Sequence, residues 1–128
     1  MSEPSLDWLQ RAADLANADE DFRTATQWFD AWVLLAIGPQ RFSLKLFMGG
    51  VIKIVPAPVP FGPTFTLRGE AAAWQDLVTH PKNRFRELLA TGGIVTEGNV
   101  FEALRATKAV ALLVEALRRA GPWTAKAA

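Results

Sequence analysis

Hydrophobic and polar residues alternate along this chain with two periods, and the changes of period mark its elements. Residues 5–18 place Leu9, Ala12, Ala13 and Ala16 at helical spacing, with Trp8 and Leu15 at the edge of the stripe. Asp19, Glu20 and Asp21 follow. Three acids oppose the dipole at a helix C-terminus, so the helix is expected to end there and the acids to belong to a turn or to the next element. Residues 22–27 can supply one more helical turn. Residues 28–37 are apolar at both parities, which predicts a central strand covered on both faces, with Asp30 the exception. Gly38-Pro39 makes a turn. Over 41–48, Phe42, Leu44, Leu46 and Met48 point one way and Arg41, Ser43 and Lys45 the other, the pattern of a strand with one wet face. Gly49-Gly50 is a two-residue hairpin signal, and 51–55 is the return strand, with Ile52 and Ile54 in phase against Lys53.

Residues 56–63 carry four prolines, too many to donate a sheet ladder, and predict a stiff extended loop. Thr64 to Arg68 alternates again, with Phe65 and Leu67 inward. A short helix over 71–78 follows, with Trp74, Leu77 and Val78 on its face. A second, over 82–90, buries Phe85, Leu88 and Leu89 and stops at Gly92-Gly93. Residues 94–97 form a last strand, Gly98 turns, and Asn99 caps a closing helix, with Glu102 completing a capping box. That helix is expected to run about five turns to Gly121-Pro122. The order α, β-β-β, β, α-α, β, α predicts an α+β fold, one sheet of about five strands backed by helices. The expected boundaries are a single domain over 1–128, with its core at 22–117, an N-terminal helix at 5–18 and a short tail at 121–128.

Composition narrows the function classes more than it selects one. A chain of 128 residues, 50% apolar and 21% charged, can bury a real core. Its net charge of +1 gives no reason to expect nucleic acid as a partner. The absence of cysteine excludes disulfides, a thiol nucleophile and thiolate metal sites, and suits a reducing compartment. The acidic opening Met-Ser-Glu-Pro-Ser-Leu-Asp has no basic and apolar regions, so no signal peptide is expected. The closing Ala-Lys-Ala-Ala is not a peroxisomal address of the Ser-Lys-Leu type. No apolar run is long enough for a membrane span. The expected location is the cytoplasm. Tyrosine is absent and tryptophan occurs five times, so the core fills its volume with large rings and gains no phenol chemistry.

The stretch Thr-Phe-Thr-Leu-Arg-Gly-Glu-Ala-Ala-Ala-Trp-Gln-Asp-Leu-Val from Thr64 is an alternating strand followed by a short helix with an aromatic. Phe-Arg-Glu-Leu-Leu-Ala-Thr-Gly-Gly-Ile-Val-Thr-Glu-Gly-Asn from Phe85, then an amphipathic helix, completes the pattern. In order and spacing, 22–117 resembles the sterol carrier protein-type (SCP-2-like) lipid-binding domain, and Gly98-Asn99 is the sharpest of the shared motifs. The proline loop, the lack of a peroxisomal address and the tryptophan content depart from that family. The resemblance implies a mixed five-stranded sheet with helices packed on one face and an apolar tunnel between them for a fatty acyl chain, sterol or other lipid. Some members instead serve as a terminal domain on an enzyme acting on hydrophobic substrates.

Catalytic and metal chemistry find little support in the residues. His80, the only histidine, precedes Pro81 in a loop and suits a surface or helix-entry role. Glu97 and Glu102 flank the Gly98 turn and could look like paired carboxylates, but a solvated strand end plus a helix cap is the strongly favoured account. Phosphate-binding glycine patterns and metal-ligand spacings are missing, so no catalytic residue, metal or cofactor is expected. The large apolar residues Trp28, Trp32, Phe42, Phe47, Phe65, Trp74 and Phe85 suit a plain core. Around a cavity they would be its walls, together with Met48. On the closing helix, Ala103, Ala106, Val110, Leu113, Val114 and Leu117 form the main stripe, while Phe101, Leu104 and Leu112 project near the charged side. Those three can line a lipid cavity, meet a second subunit or pack under the N-terminal helix. Asp30, Arg41 and Thr96 are candidates to orient a headgroup, and Arg41 or Lys45 can pair with Asp30 across strands.

The expected function is therefore binding or carrying of a hydrophobic small molecule, without catalysis. The alternative is a structural, dimerising or accessory module of an enzyme acting on hydrophobic substrates.

Overall fold

The computed structural model describes residues 4–123; the last part of the expected tail, the closing Ala-Lys-Ala-Ala and the first three residues lie outside them. Helices α1 (Leu6–Ala18) and α2 (Glu20–Ala25) come first. Ser5 Oγ accepts the Trp8 amide at 3.2 Å, and the acids between the helices belong to α2, whose N-cap is Asp19. The strands are β1 (Asp30–Ile37), β2 (Gln40–Phe47), β3 (Gly50–Val55), β4 (Phe65–Gly69) and β5 (Ile94–Gly98), in the spatial order β3-β2-β1-β4-β5. All neighbours are antiparallel except β1 and β4, so the sheet is mixed, with β1 at its centre.

Helices cover one face. Val33, Leu35 and Ile37 of β1, Phe42, Leu44 and Leu46 of β2, Phe65 and Leu67 of β4 and Ile94 of β5 point into a core shared with α1, α2, α3 (Ala71–Thr79) and α6 (Thr107–Ala120). On the opposite face, Ser43 is fully buried although its parity predicts water. The parallel pairing of β1 and β4 explains this. The chain must cross the sheet between β3 and β4, and the proline-rich loop makes that crossing. Ser43 Oγ donates to Ala57 O at 2.7 Å, Val59 is buried, and Phe61 meets the Trp32 ring edge-on at 6.2 Å.

The hairpin turn is Met48-Gly49, one residue earlier than the expected Gly49-Gly50. Both turn residues have positive φ, 43° and 102°, the requirement of a type I′ turn. Asn17 of α1 decides the register. Its amide accepts Val51 N at 2.8 Å and donates to Val51 O at 3.0 Å, which also closes that point of the β3 edge. Lys45 pairs with Lys53 and Leu46 with Val51, leaving Ile52 as a bulge residue. The bulge puts Val51, not Ile52, on the core side with Ile54, and Ile52 is exposed.

Helix α3 carries Trp74, Leu77 and Val78 into the core as its spacing predicts. Arg118 of α6 donates to Leu77 O at 3.2 Å and to His80 O at 2.7 Å, tying the C-terminus of α3 to α6. Helix α4 (Phe85–Thr91) starts later than its pattern predicts, and Leu89 is exposed rather than buried. The closing helix is two helices, α5 (Val100–Arg105) and α6. They meet at Ala106, whose φ of −87° and ψ of 2° leave the helical region.

Candidate functional site

The break at Ala106 borders an apolar concavity. Ala106 is fully buried, and α6 continues from it into the core through Val110, Leu113, Val114 and Leu117. Helix α5 has no buried residue of its own. It is held at its start, where Asn99 N donates to Thr64 O at 3.0 Å and Asn99 Oδ1 accepts Glu102 N at 3.0 Å. The capping box is only half formed, because the Glu102 carboxylate accepts from Arg105 at 2.7 Å instead of returning to the cap. At the other end, Thr107 Oγ1 turns back to Leu104 O at 2.8 Å, and the Arg105 guanidinium lies 5.5 Å from the centre of the Phe29 ring.

Between α4, the β4–β5 edge and the α5–α6 junction lies a groove in three adjoining parts that share lining residues. The innermost, of about 70 Å³, lies over Phe65, Leu67 and Thr96, between Phe85 and Leu89 of α4 and Ala103, Thr107 and Val110. A middle part of about 260 Å³ adds Glu97, Gly98, Val100 and Leu104. The outer mouth, of about 520 Å³, is bounded by Phe85, Arg86, Leu89, Leu104, Arg105, Thr107, Lys108 and Ala111. Leu89 and Thr107 line all three parts. This is the size and character of a small-molecule site: apolar walls with few polar groups. A second depression of about 280 Å³, at Gly38, Arg41, Arg68, Gly69 and Glu70, is polar, and both of its arginines are engaged.

The groove gathers Phe65, Phe85 and Leu104 from the residues expected to line a cavity. The others lie elsewhere. Trp28 stands 77% exposed in the turn before β1, outside the strand its hydrophobicity predicts. Met48 occupies the hairpin turn at 63% exposure, because Met48 N donates to Phe29 O and so leaves the strand alternation. Trp32 lies on the far face of the sheet under Phe61 and Lys45, and Phe47 also meets the Lys45 ammonium there. Phe42 and Trp74 fill the solid core, and the Trp74 indole donates to Ala36 O at 3.1 Å. Leu112 packs half-buried against the core from α6, while Phe101 points away at 81% exposure. The groove-lining residues that pattern reading passes over are Leu67, Leu89, Ala103, Thr107 and Val110. They are small or medium-sized, and all but Thr107 belong by pattern to a buried face, which gives no sign that they border a space.

Of the headgroup candidates, only Thr96 reaches the groove. Asp30 sits at the exposed start of β1, paired with Lys45, and Arg41 Nη1 donates to Gly38 O at 2.6 Å. Glu97 is bonded by Arg68 at 3.1 and 2.5 Å, and these hydrogen bonds hold its carboxyl below the usual carboxylate range. That direction is opposite to what a general acid at neutral pH needs. His80 Nδ1 lies 3.1 Å from Lys82 N in the loop after α3. Among the described residues no group of three or more His, Asp and Glu is placed to hold a metal ion, and no helix is long and apolar enough to cross a membrane.

No protein-family model and no curated protein sequence matches the chain. Solved structures do. A crystal structure of sterol carrier protein 2 superposes with a TM-score of 0.74 at 20% identity, covering 89% of this chain and 95% of that one. A conserved hypothetical protein from Thermus thermophilus, described as a candidate sterol carrier protein, gives a TM-score of 0.74 at 20% identity over 98% of this chain and 94% of its own. A UbiJ-SCP2 ubiquinone synthesis protein gives 0.54 at 14% identity, over 92% and 96%.

Proposed function

The chain has the sterol carrier protein 2-like fold, and we propose that it binds and carries a hydrophobic small molecule, a fatty acyl chain, sterol or other lipid, in the groove under α5. The observation that carries this reading is the shared lining of the groove's adjoining parts. They extend from Phe65 and Val110 inside to Arg86 and Lys108 outside, with Leu89 and Thr107 common to every part. Burial supplies the affinity, at about 0.8 kcal/mol for each methylene removed from water. Thr96 on the floor, whose hydroxyl has no side-chain hydrogen-bond partner among the described residues, and the cations at the mouth orient the polar end. The protein works as a non-catalytic carrier in the cytoplasm, a location that suits its lack of cysteine.

Titration with a fluorescent long-chain fatty acid tests the reading. Saturable binding at micromolar ligand is expected, and an absence of saturable binding sinks it. A second reading draws on the likeness to the UbiJ-SCP2 ubiquinone synthesis protein: an accessory or dimerising module for an enzyme acting on hydrophobic substrates. Sedimentation separates the two, because the carrier reading expects a monomer that binds lipid alone.

A further inference from the structure

The sheet has two outer strands, and only β3 is guarded against pairing with further chain. There Asn17 takes up both the amide and the carbonyl of Val51, and the bulge at Ile52 and the charge of Lys53 interrupt the line of free groups. At β5 the situation is reversed. Gly38 N donates to Gly69 O at 2.8 Å, so Gly69, and by alternation Leu67 and Phe65, turn their backbone groups toward β1. Thr66 and Arg68 therefore face β5, opposite Glu97 and Val95. The same alternation points the N–H and C=O of Thr96 away from the sheet. Among the described residues no loop or helix backbone bonds to either group. Residues Val95 to Gly98 are exposed, and the strand Ile-Val-Thr-Glu-Gly has no proline, lysine or bulge to blunt it.

This free edge opens onto the groove. Thr96 and Gly98 line its middle part with Leu89, Val100 and Leu104, all three of them exposed. At the adjoining mouth, Arg86 and Lys108 enter no ion pair among the described residues. The nearby acids are engaged: Glu87 with Arg84, Glu97 with Arg68 and Glu102 with Arg105. We propose that β5 is a docking edge for an extended segment of a partner protein, apolar at its centre and acidic on either side, which adds to the sheet as a sixth, antiparallel strand. The residue opposite Thr96 exchanges both main-chain hydrogen bonds with it. Its side chain lies on the same face as Thr96 and enters the middle part, whose 260 Å³ accommodates a leucine. Residues two positions away share that face, and acids there supply the charge that Arg86 and Lys108 lack. Main-chain bonds give affinity, while the groove and its cations give selectivity. A second copy is the poorer fit. Pairing β5 with β5 about a two-fold axis sets both helix layers on one side of the sheet and brings a second Arg86 and Lys108 there, where like charges oppose each other. The pairing goes beyond the carrier reading and needs no lipid in the groove.

The probe is the peptide Ser-Glu-Thr-Leu-Thr-Glu-Ser, labelled with fluorescein at its N-terminus and amidated at its C-terminus, titrated into the full chain and followed by fluorescence anisotropy. Saturable binding at sub-millimolar peptide is expected. Methylating the leucine amide nitrogen removes the bond to Thr96 O while keeping every side chain, and should weaken binding at least about fivefold. Replacing both glutamates with glutamine should weaken it about threefold at low salt, a loss that vanishes in Arg86→Gln with Lys108→Gln. Thr96→Pro removes an N–H that faces away from the sheet, a change an edge strand tolerates, and is expected to abolish binding with thermal unfolding little altered. If that variant fails to fold, the methylated peptide still decides. An absence of saturable binding, equal affinity for the methylated peptide, or a self-association of the parent that Thr96→Pro abolishes overturns the proposal, the last because it gives the edge to a second copy. Peptide binding without fatty-acid binding overturns the carrier reading alone, and the reverse overturns this one alone.

Discussion

Ala103→Phe is the sharpest perturbation of the groove. Ala103 lies half-buried where the inner and middle parts meet. An aromatic ring needs a space on the order of 150 Å³. The inner part offers about 70 Å³, so the ring fills it and spreads into the middle part. A methylene takes up about as much room as a water molecule, about 30 Å³. The inner part therefore holds roughly two of them, worth about 1.6 kcal/mol of burial. Closing it should weaken binding of a long-chain fatty acid by at least roughly 15-fold. The middle part stays open to a shorter chain, so the loss should shrink as the ligand shortens. The assay is displacement of a fluorescent fatty acid, with thermal unfolding run alongside to show that the variant folds. Trp28→Ala is the control: sequence pattern puts Trp28 on a cavity wall, the structure puts it in solvent, and binding is expected to stay within twofold. Parental affinity in a well-folded Ala103→Phe, or an equal loss in Trp28→Ala, refutes the assignment of the groove.

Three further outcomes follow from the geometry. A Cβ at Gly98 would lie 3.0 Å from both Phe65 Cα and Thr64 O, with φ at 103°, whereas one at Gly92, φ 83°, would meet nothing within 4 Å. Gly98→Ala is expected to cost about 2–3 kcal/mol and Gly92→Ala about 1 kcal/mol, and equal melting temperatures would contradict this. Arg118→Ala strips charged donors from Leu77 O and His80 O and should cost about 2 kcal/mol in denaturant unfolding, partly restored by Lys; an unchanged midpoint would show that those carbonyls find other partners. By NMR titration the Glu97 carboxyl should titrate below the ordinary glutamate range and move back up in Arg68→Gln. Because its folded pKa is lowered, its contribution to stability is present above the unfolded pKa and is lost as pH falls through the folded value; an unshifted Glu97 would mean that the ion pair does not persist in solution.

Elements whose burial follows a simple period were legible from the residues. Phe65 and Leu67 on β4, Trp74, Leu77 and Val78 on α3, and the stripe from Val110 to Leu117 lie where alternation or helical spacing puts them. The misreadings come from contacts that a local pattern cannot contain. Asn17, 34 residues away, holds Val51 and moves the hairpin turn onto Met48, a residue that turn preferences disfavour. Ser43 is dry because the proline loop crosses over it. Trp28 reads as strand by hydrophobicity alone, but Phe29 N closes a turn onto Thr26 O and leaves the indole outside.

The groove was the hardest feature to read, and the reason lies in what a cavity is. Large rings were natural candidates for its walls, yet a large ring is what close packing uses to remove space. Phe42 and Trp74 do this in the middle of the molecule. Space survives where small or medium side chains face one another across elements that cannot close in. Here Leu89 on α4 faces Ala103 and Thr107, and α5 cannot settle onto the sheet. Its direction is fixed at one end by Gly98 and Asn99, held against Thr64, and at the other by the turn at buried Ala106. A wheel drawn through one continuous helix puts Phe101, Leu104 and Leu112 on a single second face. The break gives them three different surroundings: open water for Phe101, the groove for Leu104 and the core for Leu112. The kink at Ala106 therefore does more than end a helix. It turns α5 away from the line of α6, so that Val110 at the start of α6 serves both core and groove, and a substitution that straightened α5 into α6 would act on the groove while leaving Leu113, Val114 and Leu117 in place.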